Sequence, residues 1–89
     1  MDQLRLQIRG RVHGVGFRAF VLREATALRL KGVVRNLGDG SVEIEAEGSR
    51  ADLERLVARA RRGPAHAVVQ DVIPQWGEGA SRFHDFRID

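Results

Sequence analysis

The sequence predicts an α+β fold, a sheet carrying both helices on one face, and three observations lead there. The segments run strand, helix, strand, strand, helix, strand, with a short terminal strand. A Gly-Asp-Gly turn at residues 38–40 joins the second and third strands as a hairpin. Each strand-helix-strand crossover has to be right-handed, so the economical solution is an antiparallel sheet of the ferredoxin-like sandwich. The 89 residues leave room for one domain, residues 1–89, and a 43% apolar content suffices to bury its core.

Leu4, Leu6 and Ile8 alternate with Arg5, Gln7 and Arg9, the period of a strand with one buried and one wet face. Residues 10–16, GRVHGVG, interrupt that alternation with three glycines. From Phe17 to Leu30, Phe20, Val21, Ala25 and Leu28 recur at helical spacing, and Gly32 is expected as the helix C-terminal cap. Residues 32–37, GVVRNL, form the second strand; in the third, Val42, Ile44 and Ala46 alternate with Glu43, Glu45 and Glu47. Ser49 and Asp52 make an acidic variant of the capping box, opening a helix with the stripe Leu53, Leu56, Val57, Ala60 and a stop at Gly63-Pro64. Residues 66–73, HAVVQDVI, read as a fourth strand, residues 74–81 as a loop whose Trp76 covers the core edge, and residues 83–88 as a fifth strand.

Several function classes drop out on composition. With no cysteine, the chain has no disulfide, no thiolate nucleophile and no sulfur-ligated zinc, which fits a reducing compartment. His66 and His84 lack chelating spacing, so no metal and no cofactor are expected. The polar start and the lack of any apolar run near the roughly 18 residues of a membrane span predict a cytoplasmic protein without membrane contact. Charge is uneven: residues 1–35 carry eight basic and two acidic side chains, whereas residues 36–89 carry seven basic and ten acidic. The excess points to an anion near the first half, either a small phosphate or a polynucleotide. In the sandwich, however, outward Arg5 and Arg9 lie near outward Glu43, Glu45 and Glu47, each pair worth roughly 0.2–1 kcal/mol. The third strand, VEIEAE, also offers no aromatic on which a base could stack, so nucleic acid is not expected as a partner.

The informative stretch is GRVHGVGFR, residues 10–18, between the first strand and first helix. Its glycines allow positive φ and turn successive N–H groups inward, and the following helix adds its positive N-terminal dipole, together an anion cradle. Arg18 falls in the first helical turn, where the dipole disfavours a cation; a bound anion matched to the guanidinium fork accounts for it better than helix stability does. The plainer alternative is a tight connection beside a solvated arginine. Residues 14–19 also fit GxGxxA, but that dinucleotide fingerprint needs a larger parallel sheet and an acid ending the second strand, where this chain has a hairpin.

GRVHGVGFR, then VVRNLGDGSVE, GPAHAVV near residue 63 and a closing FRID resemble the acylphosphatase family over nearly the whole chain. The resemblance implies hydrolysis of acyl phosphates to a carboxylate and inorganic phosphate. Carried over by position, Arg18 binds the phosphate and Asn36 orients the attacking water, with backbone amides of Val12, His13, Gly14, Val15, Gly16, Phe17 and Arg18 completing the cradle. Partners would be a small acyl phosphate, with inorganic phosphate as product and sulfate as mimic, acting on a monomer without metal. Read from residues alone, Asn36 is a turn residue beside residues 38–40 rather than a water-positioning one, and the family pattern reverses that. His13 stands where the family commonly has glutamine, and Val33 where it has tryptophan; His13, with no acidic orienter in sight, is expected to make structural bonds. Two rivals are an acylphosphatase-like domain of a hydrogenase-maturation carbamoyltransferase, handling carbamoyl phosphate in a longer chain, and a non-catalytic binding module of the same fold.

Overall fold

The computed structural model describes residues 1–89 as β1 (Asp2–Arg11), α1 (Phe17–Ala27), β2 (Lys31–Asn36), β3 (Val42–Gly48), α2 (Arg50–Arg62), β4 (Val68–Glu78) and β5 (Phe86–Ile88). The strand order β4-β1-β3-β2-β5 places each helix on a crossover that skips one strand, as the sandwich requires. β1 runs antiparallel to β3 and β4, and β2 antiparallel to β3. The three-residue β5 adds parallel to β2, pairing Gly32 with Phe86 and Val34 with Ile88, so the five-stranded sheet is mixed.

Alternation in β1 and β3 does what it predicts. Leu4, Leu6 and Ile8 meet Ala46, Ile44 and Val42 in register, and these join Phe17, Val21, Ala25, Leu53, Leu56 and Ala60 in one cluster of 16 buried apolar residues under both helices. The other face carries the charges. Arg5 sits opposite Glu45 and pairs with it at 3.4 Å, and Arg35 of β2 reaches both Glu43 and Glu45. Arg9 lies beyond the β1–β3 register, so the expected neutralisation holds for Arg5 and falls short of Arg9.

Several boundaries differ from the sequence reading. α1 stops at Ala27, three residues early, because Arg29 takes a left-handed conformation (φ 58°) and the N–H groups of Arg29 and Leu30 close back on the carbonyls of Thr26 and Ala25. Gly32 is therefore no cap. It lies inside β2, where a Cβ would drive into the backbone of Glu45 on β3. β4 starts two residues later than expected and continues through Pro74 to Glu78; as an edge strand it tolerates a residue without an N–H. The fifth strand shrinks to Phe86–Ile88.

α2 begins as its residues dictate. Ser49 Oγ accepts from the N–H of Asp52 at 3.2 Å, and Asp52, rather than reaching back, binds Arg55 at 2.8 Å. Trp76 covers the core edge and carries the Arg50 guanidinium 3.6 Å above its ring.

Glu47, 1% exposed on the charged face, ties residues 81–83 onto the sheet. Its carboxylate accepts from Ser81 Oγ at 2.6 Å and from the N–H groups of Arg82 and Phe83, each at 3.0 Å. Burial pushes its carboxyl up, and these hydrogen bonds more than reverse that, leaving it below the ordinary carboxylate value. A group depressed in the folded state stabilises above its unfolded pKa, roughly 4.3, and that contribution fades as pH falls through the folded value. Glu47→Gln is expected to cost about 1.5–3 kcal/mol at neutral pH, with the gap from the parent narrowing below about pH 4. Thermal denaturation of both proteins across pH 3–7 checks this; a gap constant with pH would detach the effect from the carboxylate.

Candidate active site

The loop between β1 and α1 bends at Gly14 (φ 71°) and Gly16 (φ 76°). A Cβ at either would meet no protein atom, so the positive φ, rather than crowding, asks for glycine there. Gly16 is the N-cap of α1 in the left-handed conformation, with no side-chain cap and no acid in the first turn. The first helical hydrogen bond runs from Phe20 N–H to Gly16 carbonyl at 3.0 Å, which leaves the N–H groups of Phe17, Arg18 and Ala19 outside the helical ladder. Phe17 itself is buried and anchors this turn in the core.

An open cleft of about 220 Å³ lies at this turn, lined by Val12, Gly14, Gly16, Phe17, Arg18, Ala19, Asn36 and Ile88. None of these lining residues is acidic, and the partial positive charge of the helix end and the Arg18 guanidinium both act on the cleft. Arg18 is half-buried and donates from Nη1 to the Asp89 main-chain oxygen at 3.2 Å. Asn36, the last residue of β2, pairs with Val42 and stands exposed on the cleft wall, one strand position before the turn that residue type alone would suggest.

The two side chains that sequence reasoning singled out thus share one cleft although 18 positions separate them. His13 and Val15 belong to the same loop, but their side chains go elsewhere. Val15 packs against the core, and His13 Nε2 lies 2.8 Å from the carbonyl of Ser41, which can only accept, so that ring nitrogen carries a proton. The Ser41 carbonyl also accepts from Leu37 N–H at 2.9 Å. His13 therefore fastens the glycine loop to the β2–β3 turn just past Asn36. The sequence reading did not single out Ala19, Ile88 and Asp89; the only available signal was the closing FRID segment.

Fold and cleft together define a class, a small ferredoxin-like α+β domain with an arginine-bearing cleft, no acid in its lining, at its first strand-to-helix turn. Residues 4–88 match the Acylphosphatase family model. An acylphosphatase of Salinibacter ruber is 46% identical over 82 residues, 92% of this chain and 86% of that protein. The crystal structure of acylphosphatase from Bacillus subtilis superposes with a TM-score of 0.97 at 39% identity, covering 100% of this chain and 99% of that one. The chain belongs to the acylphosphatase family and is a hydrolase. Full-length HypF in its phosphate- and nucleotide-bound form is also similar, with a TM-score of 0.88 at 33% identity, but this chain covers only 12% of that one.

Proposed function

We propose that the protein hydrolyses acyl phosphates to a carboxylate and inorganic phosphate by direct attack of water on phosphorus. The observation that carries the reading is the meeting of Arg18, Asn36 and the amides that open α1 in one cleft with no acidic lining. The Arg18 fork and the N–H groups of the loop from Val12 to Arg18 hold the phosphoryl oxygens, where negative charge concentrates as the bond to the acyl oxygen lengthens. Asn36 offers both a donor and an acceptor, suited to fixing a water in line with the departing oxygen. The water oxygen bonds to phosphorus, the phosphorus–acyl oxygen bond breaks, and its electron pair leaves on the carboxylate. The water's protons pass to phosphate and solvent.

A carboxylate leaves readily, so no general acid is required, and His13, turned to the Ser41 carbonyl, is not among the residues that line the cleft. The cleft supplies its positive charge from a guanidinium and peptide dipoles, so turnover should not depend on added metal. The test is hydrolysis of benzoyl phosphate by the purified protein with and without EDTA. Turnover equal in both is expected. Loss of turnover in EDTA overturns the metal-independent mechanism, and no turnover in either condition overturns the reading as a whole. Carbamoyl phosphate assayed alongside, and turned over to the exclusion of benzoyl phosphate, would favour the narrower substrate range of the carbamoyl-handling alternative.

A further inference from the structure

We propose that Arg35, on the charged face of the sheet, is a positioning residue for Arg18 and acts through Asp89; the inference rests on Arg18 being the phosphate ligand. The two arginines belong to different surfaces. Arg18 opens α1, whereas Arg35 stands on β2 with its guanidinium on the face away from the helices, and the contact between them runs through a single residue of the strand edge.

The connection consists of explicit bonds. Arg35 Nη1 binds Glu43 and, at 2.9 Å, Glu45, two carboxylates projecting from the neighbouring strand β3. These partners, with a smaller contribution from Asp89, hold the Arg35 guanidinium far above its ordinary pKa, against the opposing effect of burial. With Nη1 fixed, the planar fork directs Nε toward Asp89, whose Oδ2 it meets at 3.3 Å. Asp89 N–H donates to the Val34 carbonyl at 2.9 Å, and the Asp89 main-chain oxygen accepts from Arg18 Nη1 at 3.2 Å.

Each bond removes a freedom that the next one needs. β5 is only three residues long and pairs on one side, so the backbone that follows it would fray without a further tie. The N–H bond to Val34 fixes the Ile88–Asp89 peptide, and the grip of Arg35 on the side chain holds Asp89 where its main-chain oxygen meets Arg18. That oxygen takes one of the five N–H donors of Arg18 and orients the guanidinium, with the remaining donors left for the phosphoryl oxygens. Glu43 and Glu45 are thus linked to Arg18 through Arg35 and through the side chain and main-chain oxygen of Asp89.

Inorganic phosphate as a competitive inhibitor of acyl phosphate hydrolysis reads the effect, since its inhibition constant reports ground-state affinity. Asp89→Ala removes the side-chain tie, keeps the main-chain oxygen and leaves the Arg35 pairs with Glu43 and Glu45 intact. Arg35→Gln cuts the same link one residue earlier. Each is expected to raise the phosphate inhibition constant on the order of fivefold. Asp89→Asn, whose amide oxygen still accepts from Nε, should recover part of the loss. In an Arg18→Ala background neither change should weaken phosphate further, a non-additivity that a merely structural role would not produce. Should Arg35→Gln fold poorly, Asp89→Ala decides alone. Phosphate inhibition of Asp89→Ala equal to the parent's, with Arg18→Ala clearly weakened, overturns the positioning role and leaves the function standing. Phosphate inhibition unchanged in Arg18→Ala overturns both.

Discussion

Arg18→Ala is expected to lower kcat/KM for benzoyl phosphate by at least about a hundredfold while the protein stays folded, read by steady-state kinetics beside thermal denaturation. Removing one preorganised donor to a developing oxyanion costs about 3 kcal/mol, and about 1.4 kcal/mol corresponds to tenfold in rate. In the proposed mechanism Arg18 offers the transition state a full charge and two parallel N–H groups, so the loss should reach at least that figure. Stability should be nearly untouched. The side chain is half-buried, belongs to no part of the core cluster, and makes one hydrogen bond, to the Asp89 main-chain oxygen. Substitution of such a residue usually stays within about 0.5 kcal/mol. Arg18→Lys restores a point charge without the fork and should regain phosphate affinity more than turnover. Wild-type turnover in Arg18→Ala would take the guanidinium out of the mechanism and leave the backbone amides as the sole phosphate ligands.

How far this site could be read in advance depends on which residues are near one another in sequence. Gly14, Gly16 and Arg18 are legible because their signal is local: a bend that needs positive φ, followed by a cation in the helical turn that repels it. Alternation in β1 and β3 likewise states which face is buried before any partner is known. Asn36 carries no such signal, since an asparagine beside a Gly-Asp-Gly turn looks like turn chemistry, and only the family resemblance gave it a role. The contact of Arg18 with Asp89 spans 71 positions and leaves no trace in periodicity. Two fold boundaries were hidden for a related reason. Pro74 breaks a strand unless that strand lies at the sheet edge, and strand order is a tertiary fact. α1 ends through Arg29 in a conformation that glycine usually supplies, so the nearest glycine, Gly32, misdirected the reading into β2.

Asn36→Ala should separate water placement from phosphate binding. The side chain stands on the wall of the cleft at the end of β2, and its backbone pairs with Val42 whatever the side chain is, so the strand end should keep its place. The tethers beyond it, from Leu37 N–H and His13 to the Ser41 carbonyl, involve no atom of Asn36. The expected result is a fall in kcat on the order of a hundredfold, the scale on which misplacing a reactant by about 1 Å acts, with the phosphate inhibition constant changed less than about twofold. That split follows from what each group touches. In the proposed mechanism Arg18 meets the phosphoryl oxygens in ground state and transition state alike, so its loss should fall on binding as well as rate; a residue that holds only the water contributes when the attack begins. Asn36→Asp tests the same point from the other side. It keeps the size, replaces the amide donor with an anion, and should lose phosphate affinity as well as turnover because a carboxylate then faces the phosphoryl group. Stopped-assay kinetics with phosphate inhibition on both variants measures the two effects together. Full turnover in Asn36→Ala would assign the water to the loop backbone and return Asn36 to the part of a strand-end residue.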